Sequence, residues 1–206
     1  MSAYFRTGDK AYLAGALGGA VRKGMGGAKR AASTMRRTAQ GAASIGQVLT
    51  GLREQTEPRF LSLVQRFRTE GLSVKDLILE VIKEALPHTG SIDEDSVRDA
   101  AAEALGEFFE QHPEADLLDL SDEQIQEVMS VTIANDIMHR LDQLLGQTYE
   151  RLKLDPVQVQ KLRNEAKEYV KAVVQVEREK AGKLPANLKG FAATVLQSTL
   201  EVFAES

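Results

Sequence analysis

The sequence predicts an all-α protein, a multi-helix bundle that carries a basic, Gly/Ala-rich N-terminal helical arm. Three observations predict it. Apolar residues recur at spacings of three and four in the segments between the prolines. Helix start and stop residues flank those segments. Runs of alternating β-branched residues are absent, and so are the Asn-Gly and Asp-Gly turns of hairpins.

Taken in order, the arm gives helices near 8–21 and 26–38. Helices near 57–69 and 73–86 follow, the first opened by Pro58 and closed at Gly71. The stripe Ile92, Val97, Ala101, Leu105, Phe108 and Phe109 gives 92–111, with Gly90 before it and Ser91-x-x-Glu94 in capping-box form. Ser121-x-x-Gln124 opens 122–152, whose stripe runs from Ile125 and Val128 through Met129, Ile133, Ile137, Leu141, Leu144 and Leu145 to Tyr149. Asp155 as N-cap and Pro156 as first residue open 156–181, which Gly182 closes. The last helix covers 187–204. The final three are expected to pack as an antiparallel bundle after the acidic connector Pro113 to Asp122. Ile133, Ile137, Leu141, Leu145, Val170, Val174, Val195 and Phe203 are expected in one core.

Charge divides the chain. The formal net charge is -4, but residues 1–53 hold nine Lys or Arg against one acid, Asp9, a balance of +8. The remaining 153 residues hold 17 against 29, a balance of -12. Residues 1–53 are therefore read as a basic helical arm and 54–206 as an acidic helical body, with different work to do. The absence of cysteine removes disulfides, thiolate metal sites and cysteine nucleophiles, and fits a reducing, cytoplasmic setting. The apolar run Ala11 to Val21 is too short to span a bilayer. Asp9 before it and Arg22-Lys23 after it are the wrong flanks for a secretory signal, so neither export nor a transmembrane segment is expected, and the arm's apolar edge lacks the Trp, Phe and Leu of a helix that lies on a membrane.

Sites for chemistry are not legible. "GALGGAVRKG" and "GMGGAKR" are Gly-rich but lack Gly-x-x-x-x-Gly-Lys-Ser/Thr and follow no strand. His88, His112 and His139 have no second histidine one turn away, and Asp136 with His139 makes too few ligands for a metal. Asp93, Glu94, Asp95 and Asp99 lack the spacing of a calcium loop and instead complement the dipole of a first helical turn. No Gly-x-Ser-x-Gly or Ser-x-x-Lys pattern places a nucleophile. No catalytic residue, cofactor or metal is assigned, and a non-enzymatic role is expected.

What remains is the arm. Seven residues advance a helix by two turns to within about 20°, so Arg22-Lys23, Lys29-Arg30 and Arg36-Arg37 would form one stripe roughly 22 Å long. Met25, Ala28, Ala32, Met35 and Ala39 line another edge, small enough to let a partner backbone approach. Gly24, Gly26 and Gly27 each cost about 1 kcal/mol relative to alanine, so residues 1–40 are expected to order on docking. Three docking surfaces are open: the chain's own acidic body, the phosphates of a nucleic acid, or a partner protein that uses Arg22, Lys23, Met25, Gly26, Gly27, Lys29, Arg30, Met35, Arg36 and Arg37.

"GGAKRAASTM" (26–35), "LPHTGSIDEDSVRDA" (86–100) and the helix opened by "LSDEQIQEV" (120–128) resemble the B component of the Qat anti-phage defence systems. The similarity runs from about residue 11 to the C-terminus. Its strongest part is the turn Gly90, Ile92, Asp93, Glu94 leading into Arg98, Asp99 and Ala100. A leucine, Leu86, precedes Pro87 where the family often has cysteine, and Arg36 follows Met35 where it commonly has glycine. The resemblance implies a protein encoded beside an ATPase, a QueC-like enzyme of the deazaguanine pathway and a TatD-like nuclease. It implies an interaction subunit that binds the QueC-like protein. It further suggests that the N-terminal amine, less protonated at neutral pH than a lysine, accepts the group that such an enzyme activates.

Overall fold

A computed structural model of the chain describes residues 12–88 and 92–206. Among the described residues there are nine α-helices and no strand. They are α1 (Leu13–Gly19), α2 (Ala28–Thr34), α3 (Arg36–Glu54), α4 (Pro58–Glu70), α5 (Val74–Ala85), α6 (Ile92–Gln111), α7 (Asp122–Leu152), α8 (Pro156–Ala181) and α9 (Leu188–Glu205). A π turn, Ala20–Gly24, continues α1. The all-α bundle expected from the periodicity is the fold.

Local signals act as read. Ser121 Oγ accepts from Gln124 N at 3.3 Å while Gln124 Oε1 accepts from Ser121 N at 2.8 Å, a complete capping box at the head of α7. Asp155 Oδ1 takes the amides of Val157 and Gln158, both at 3.0 Å, ahead of Pro156. Gly71 (φ 60°) and Gly182 (φ 83°) end α4 and α8 in backbone that favours glycine. Gly90 and Ser91, the expected stop and cap before α6, lie outside the described residues. All eight residues expected in one core are buried in a single apolar cluster.

α7 and α8 are antiparallel. Asp142 meets Arg163 near one end, and the Gln126 side chain donates to Gly182 O at 2.9 Å near the other. α9 packs on α8 and α3, and α3 also lies against α4, α5, α6 and α7.

That central helix was not legible: the sequence reading leaves 39–56 between helices. Gly41, Gly46 and Gly51 conceal it, because glycine is costly in a helix interior. Five residues advance a helix by about 140°, so these glycines open three different sides of α3. A Cβ at Gly41 would overlap Val97 of α6, one at Gly51 would overlap the Phe60 ring of α4, and one at Gly46 would stand 2.5 Å from Met129 Sδ of α7. Each glycine is a point of close helix approach.

The arm also differs from its reading. The single helix from Arg22 to Arg37 is broken at Gly26 (φ 79°) and Gly27 (φ 92°), and again at Met35 (φ -91°, ψ 20°). The three basic pairs therefore sit on three elements: the π turn, α2 and the first turn of α3. The small-residue edge faces the chain's own core. Met35 is 0% exposed, Ala39 is buried, and Met25, Ala28 and Ala32 are half-buried against the same cluster. Leu13, Ala16, Leu17, Ala20 and Val21 are buried there too, so the described part of 1–53 shares one core with the acidic residues that follow. α1 and α2 both pack on α9.

Candidate functional site

The third basic pair and the acidic head of α6 meet. The side chains of Arg37 and Glu94 form an ion pair across 57 positions of sequence. Just beneath it, Asp136 of α7 is 0% exposed. Thr38 Oγ1 donates to its Oδ2, Ser96 Oγ donates to its Oδ1 at 2.6 Å, and Arg140 Nε lies 3.9 Å away, one turn along α7. A buried carboxylate is tolerable only with such donors. The arrangement pins the start of α3, the start of α6 and the middle of α7 to one point.

Residues of the family-like turn divide accordingly. Glu94 is in the junction, and Asp99 is exposed and makes no ion pair among the described residues. Arg98 buries one guanidinium nitrogen, Nη1, that makes no hydrogen bond among the described residues. Ile92 and Asp93 open α6, and Gly90 lies outside the described residues. Asp136 and Ser96 were missed as partners, since only tertiary structure brings residues 38, 96 and 136 together.

Of the arm's cations, Arg22 is engaged by the fold. Its Nη1 donates to Ala204 O at 2.8 Å, placing a positive charge at the C-terminal end of α9, where the helix dipole favours it. Lys23, Lys29, Arg30 and Arg36 are exposed and, among the described residues, make no ion pair.

The opposite pattern holds where α6 meets α8. Asp95, Asp99, Glu103 and Glu107 recur every fourth residue along α6, a spacing at which like charges repel. Lys171 Nζ lies 2.5 Å from Glu107 Oε2, and Lys167 Nζ lies 2.7 Å from Glu107 Oε1 and 3.4 Å from Glu103 Oε2. Burial alone would push the Glu107 carboxyl up, but the two ammonium groups outweigh it and hold the group below its ordinary 4.5. Burial would lower Lys167, yet Glu107 and Glu103 hold it above 10.5. Farther along, Asp142 Oδ2 takes both Arg163 Nε and Nη2, at 2.9 and 2.7 Å. Burial, with the Asp142 charge, pushes the Tyr149 phenol up to about 12.

Each histidine faces a carboxylate: His88 with Asp95 at 3.6 Å, His112 with Glu127 at 3.5 Å, and His139 with Glu103 at 3.2 Å. Among the described residues, no group of three or more His, Asp or Glu side chains is placed to hold a metal ion. None of the described helices is long and apolar enough to cross a membrane.

A family model described as "Qat anti-phage system associated protein QatB" matches residues 26–203. That span includes α2 to α8, nearly all of α9, the Asp136 junction and two of the three basic pairs. No curated protein and no solved structure matches the chain.

Proposed function

The chain belongs to the QatB family of Qat anti-phage system associated proteins, and from that premise we propose that it is a non-enzymatic interaction subunit that binds the QueC-like protein of its system. One observation carries this reading. The arm's apolar edge is used up in the chain's own core, while Lys23, Lys29, Arg30 and Arg36 stand exposed without an ion pair among the described residues. Charges that do not serve the fold are available to orient a partner, and charge complementarity acts chiefly on specificity and association rate. The ATPase and the TatD-like nuclease of the same system are further candidate partners, and the cytoplasm is the compartment this reading requires.

Co-expression of the chain with the QueC-like protein, followed by a pull-down, tests it: the two are expected to copurify, and recovery of the chain alone would refute the reading. As a finer form of the same proposal, the N-terminal amine attacks the deazaguanine carboxylate that the QueC-like enzyme activates with ATP, forming an amide and releasing the nucleotide leaving group and a proton. Intact-mass spectrometry of the chain from the active complex then shows an added mass, and an unmodified mass leaves only the scaffold role.

The same four cations support a second reading, a nucleic-acid-binding module. Four phosphate contacts would make log K fall with log salt at a slope of about -3.6 on duplex DNA. Retention of DNA at physiological salt with that slope would favour it over the adaptor.

A further inference from the structure

Between α5 and α6 lies an open hollow of about 530 Å³ lined by Val74, Ile78 and Leu79 of α5 and by Ala102, Gly106 and Phe109 of α6. We propose that it is the docking groove for an amphipathic helix of a partner protein, a helix whose apolar stripe is bordered on one flank by lysine or arginine.

The groove is apolar where the fold does not require it. Ile78, Val81 and Ile82 are the buried face of α5. Leu79 lies about 100° round the helix from Ile78, off that face, and is 55% exposed; Val74 is 48% exposed. Large apolar side chains half in water and gathered in one hollow mark a contact surface, which single scattered ones do not. The floor adds an independent observation. Glycine is disfavoured in a helix interior relative to alanine, and at Gly41, Gly46 and Gly51 the close approach of another helix accounts for it. At Gly106 an added Cβ would meet nothing within 4 Å, so no contact among the described residues calls for glycine there. With Ala102 one turn before it, Gly106 makes a floor low enough for the side chains of an incoming helix to reach α6.

Charge around the groove identifies the occupant. Glu110 lines it, and Asp99 stands beside Ala102 in the adjoining hollow. These two acids are eleven residues apart, three turns to within about 20° and about 16 Å along α6, so they border one edge. Both are exposed and make no ion pair among the described residues. An acidic edge beside an apolar floor fits a helix laid in the groove with basic residues on its α6 side. Lys75, on the α5 side, is exposed and also without an ion pair among the described residues; it repels the same basic flank and so fixes the direction in which the helix lies. The basic segment of a second copy is not the occupant, because its apolar edge is spent in its own core.

Methyl nuclear magnetic resonance titration of the full chain at physiological salt tests it with two synthetic helical peptides. One carries leucine at positions i, i+4 and i+7, lysines along one flank and glutamine elsewhere; the other has glutamates in place of the lysines. The lysine peptide is expected to bind one-to-one, to shift the Val74, Ile78, Leu79 and Ala102 methyl resonances, and to bind at least about tenfold more tightly than the glutamate peptide. Gly106→Leu puts a side chain into the floor from an open position, so thermal stability should be kept while binding of the lysine peptide is lost. Asp99→Lys with Glu110→Lys should reverse the preference between the peptides. That pair alters only exposed side chains, so it decides the matter even if the leucine variant does not fold. Unmoved methyls with both peptides, full binding in a folded Gly106→Leu chain, or an unchanged preference in the double variant overturns the proposal. Sedimentation of the chain alone as a dimer that Gly106→Leu dissociates also overturns it, by making a second copy the occupant.

Discussion

The lysines of α8 and the cations of residues 23–36 have opposite fates. Lys167 and Lys171 meet the repeating acids of α6 at 2.5 to 3.4 Å, partly withdrawn from water, and neutralise a row that would otherwise repel itself. Lys23, Lys29, Arg30 and Arg36 meet no acid among the described residues, although the apolar side of the same segment is fixed in the core. The difference teaches that net charge alone does not say what a basic segment holds. Burial of Met35 and Ala39 anchors the segment, so its exposed charges are free of a structural duty.

The largest effect should come from the core that anchors both regions. Leu141 of α7 is fully buried, and Leu141→Ala is expected to cost roughly 2–5 kcal/mol in chemical denaturation. Next is α3. Gly46→Val places a side chain against Met129 and should destabilise by about 1–3 kcal/mol. A neutral result would mean that the helices need not approach so closely there.

The α6–α8 clamp gives a smaller, pH-dependent effect. The Glu107 carboxyl titrates below 4.5 in the folded chain, so its contribution is fully present above that value and is lost as pH falls through the lowered one. Lys167 titrates above 10.5, so its contribution is present below 10.5 and is lost as pH rises through the raised value. Between these limits Lys171→Met should lower the denaturation midpoint, and in strong acid its difference from wild type should shrink. A pH-independent difference would show that Lys171 acts through packing alone.

Smallest of all should be the stability effect of the triple reversal Lys29→Glu, Arg30→Glu, Arg36→Glu. Surface charges without partners leave stability within about 0.5 kcal/mol per site. Marked destabilisation would place these cations among the structural ones and remove the contrast with α8.

Much of the architecture was legible because local rules and packing agree. The caps at Ser121 and Asp155, the stops at Gly71 and Gly182 and the stripe from Ile125 to Tyr149 act in the fold as they read in the chain, except that Leu144 of the stripe is exposed. α3 was hidden because Gly41, Gly46 and Gly51 serve tertiary approach against local propensity. The continuous basic stripe failed because Gly26 and Gly27 take positive φ, which ends the helix between the first and second pairs. The cationic residues were nameable from their spacing, and the turn from resemblance. The Thr38, Ser96 and Asp136 junction was not, because no sequence period connects those positions.

The central claim is that the N-terminal cations left without an ion pair among the described residues are there for a protein partner. Its most direct test is the affinity of the purified QueC-like protein for the wild-type chain and for the Lys29→Glu, Arg30→Glu, Arg36→Glu variant, measured at physiological salt with equal thermal stability of the two confirmed. Wild type is expected to bind, and the variant to bind at least about tenfold more weakly, a loss of about 1.4 kcal/mol. Equal affinity of the two chains for that partner would contradict the account.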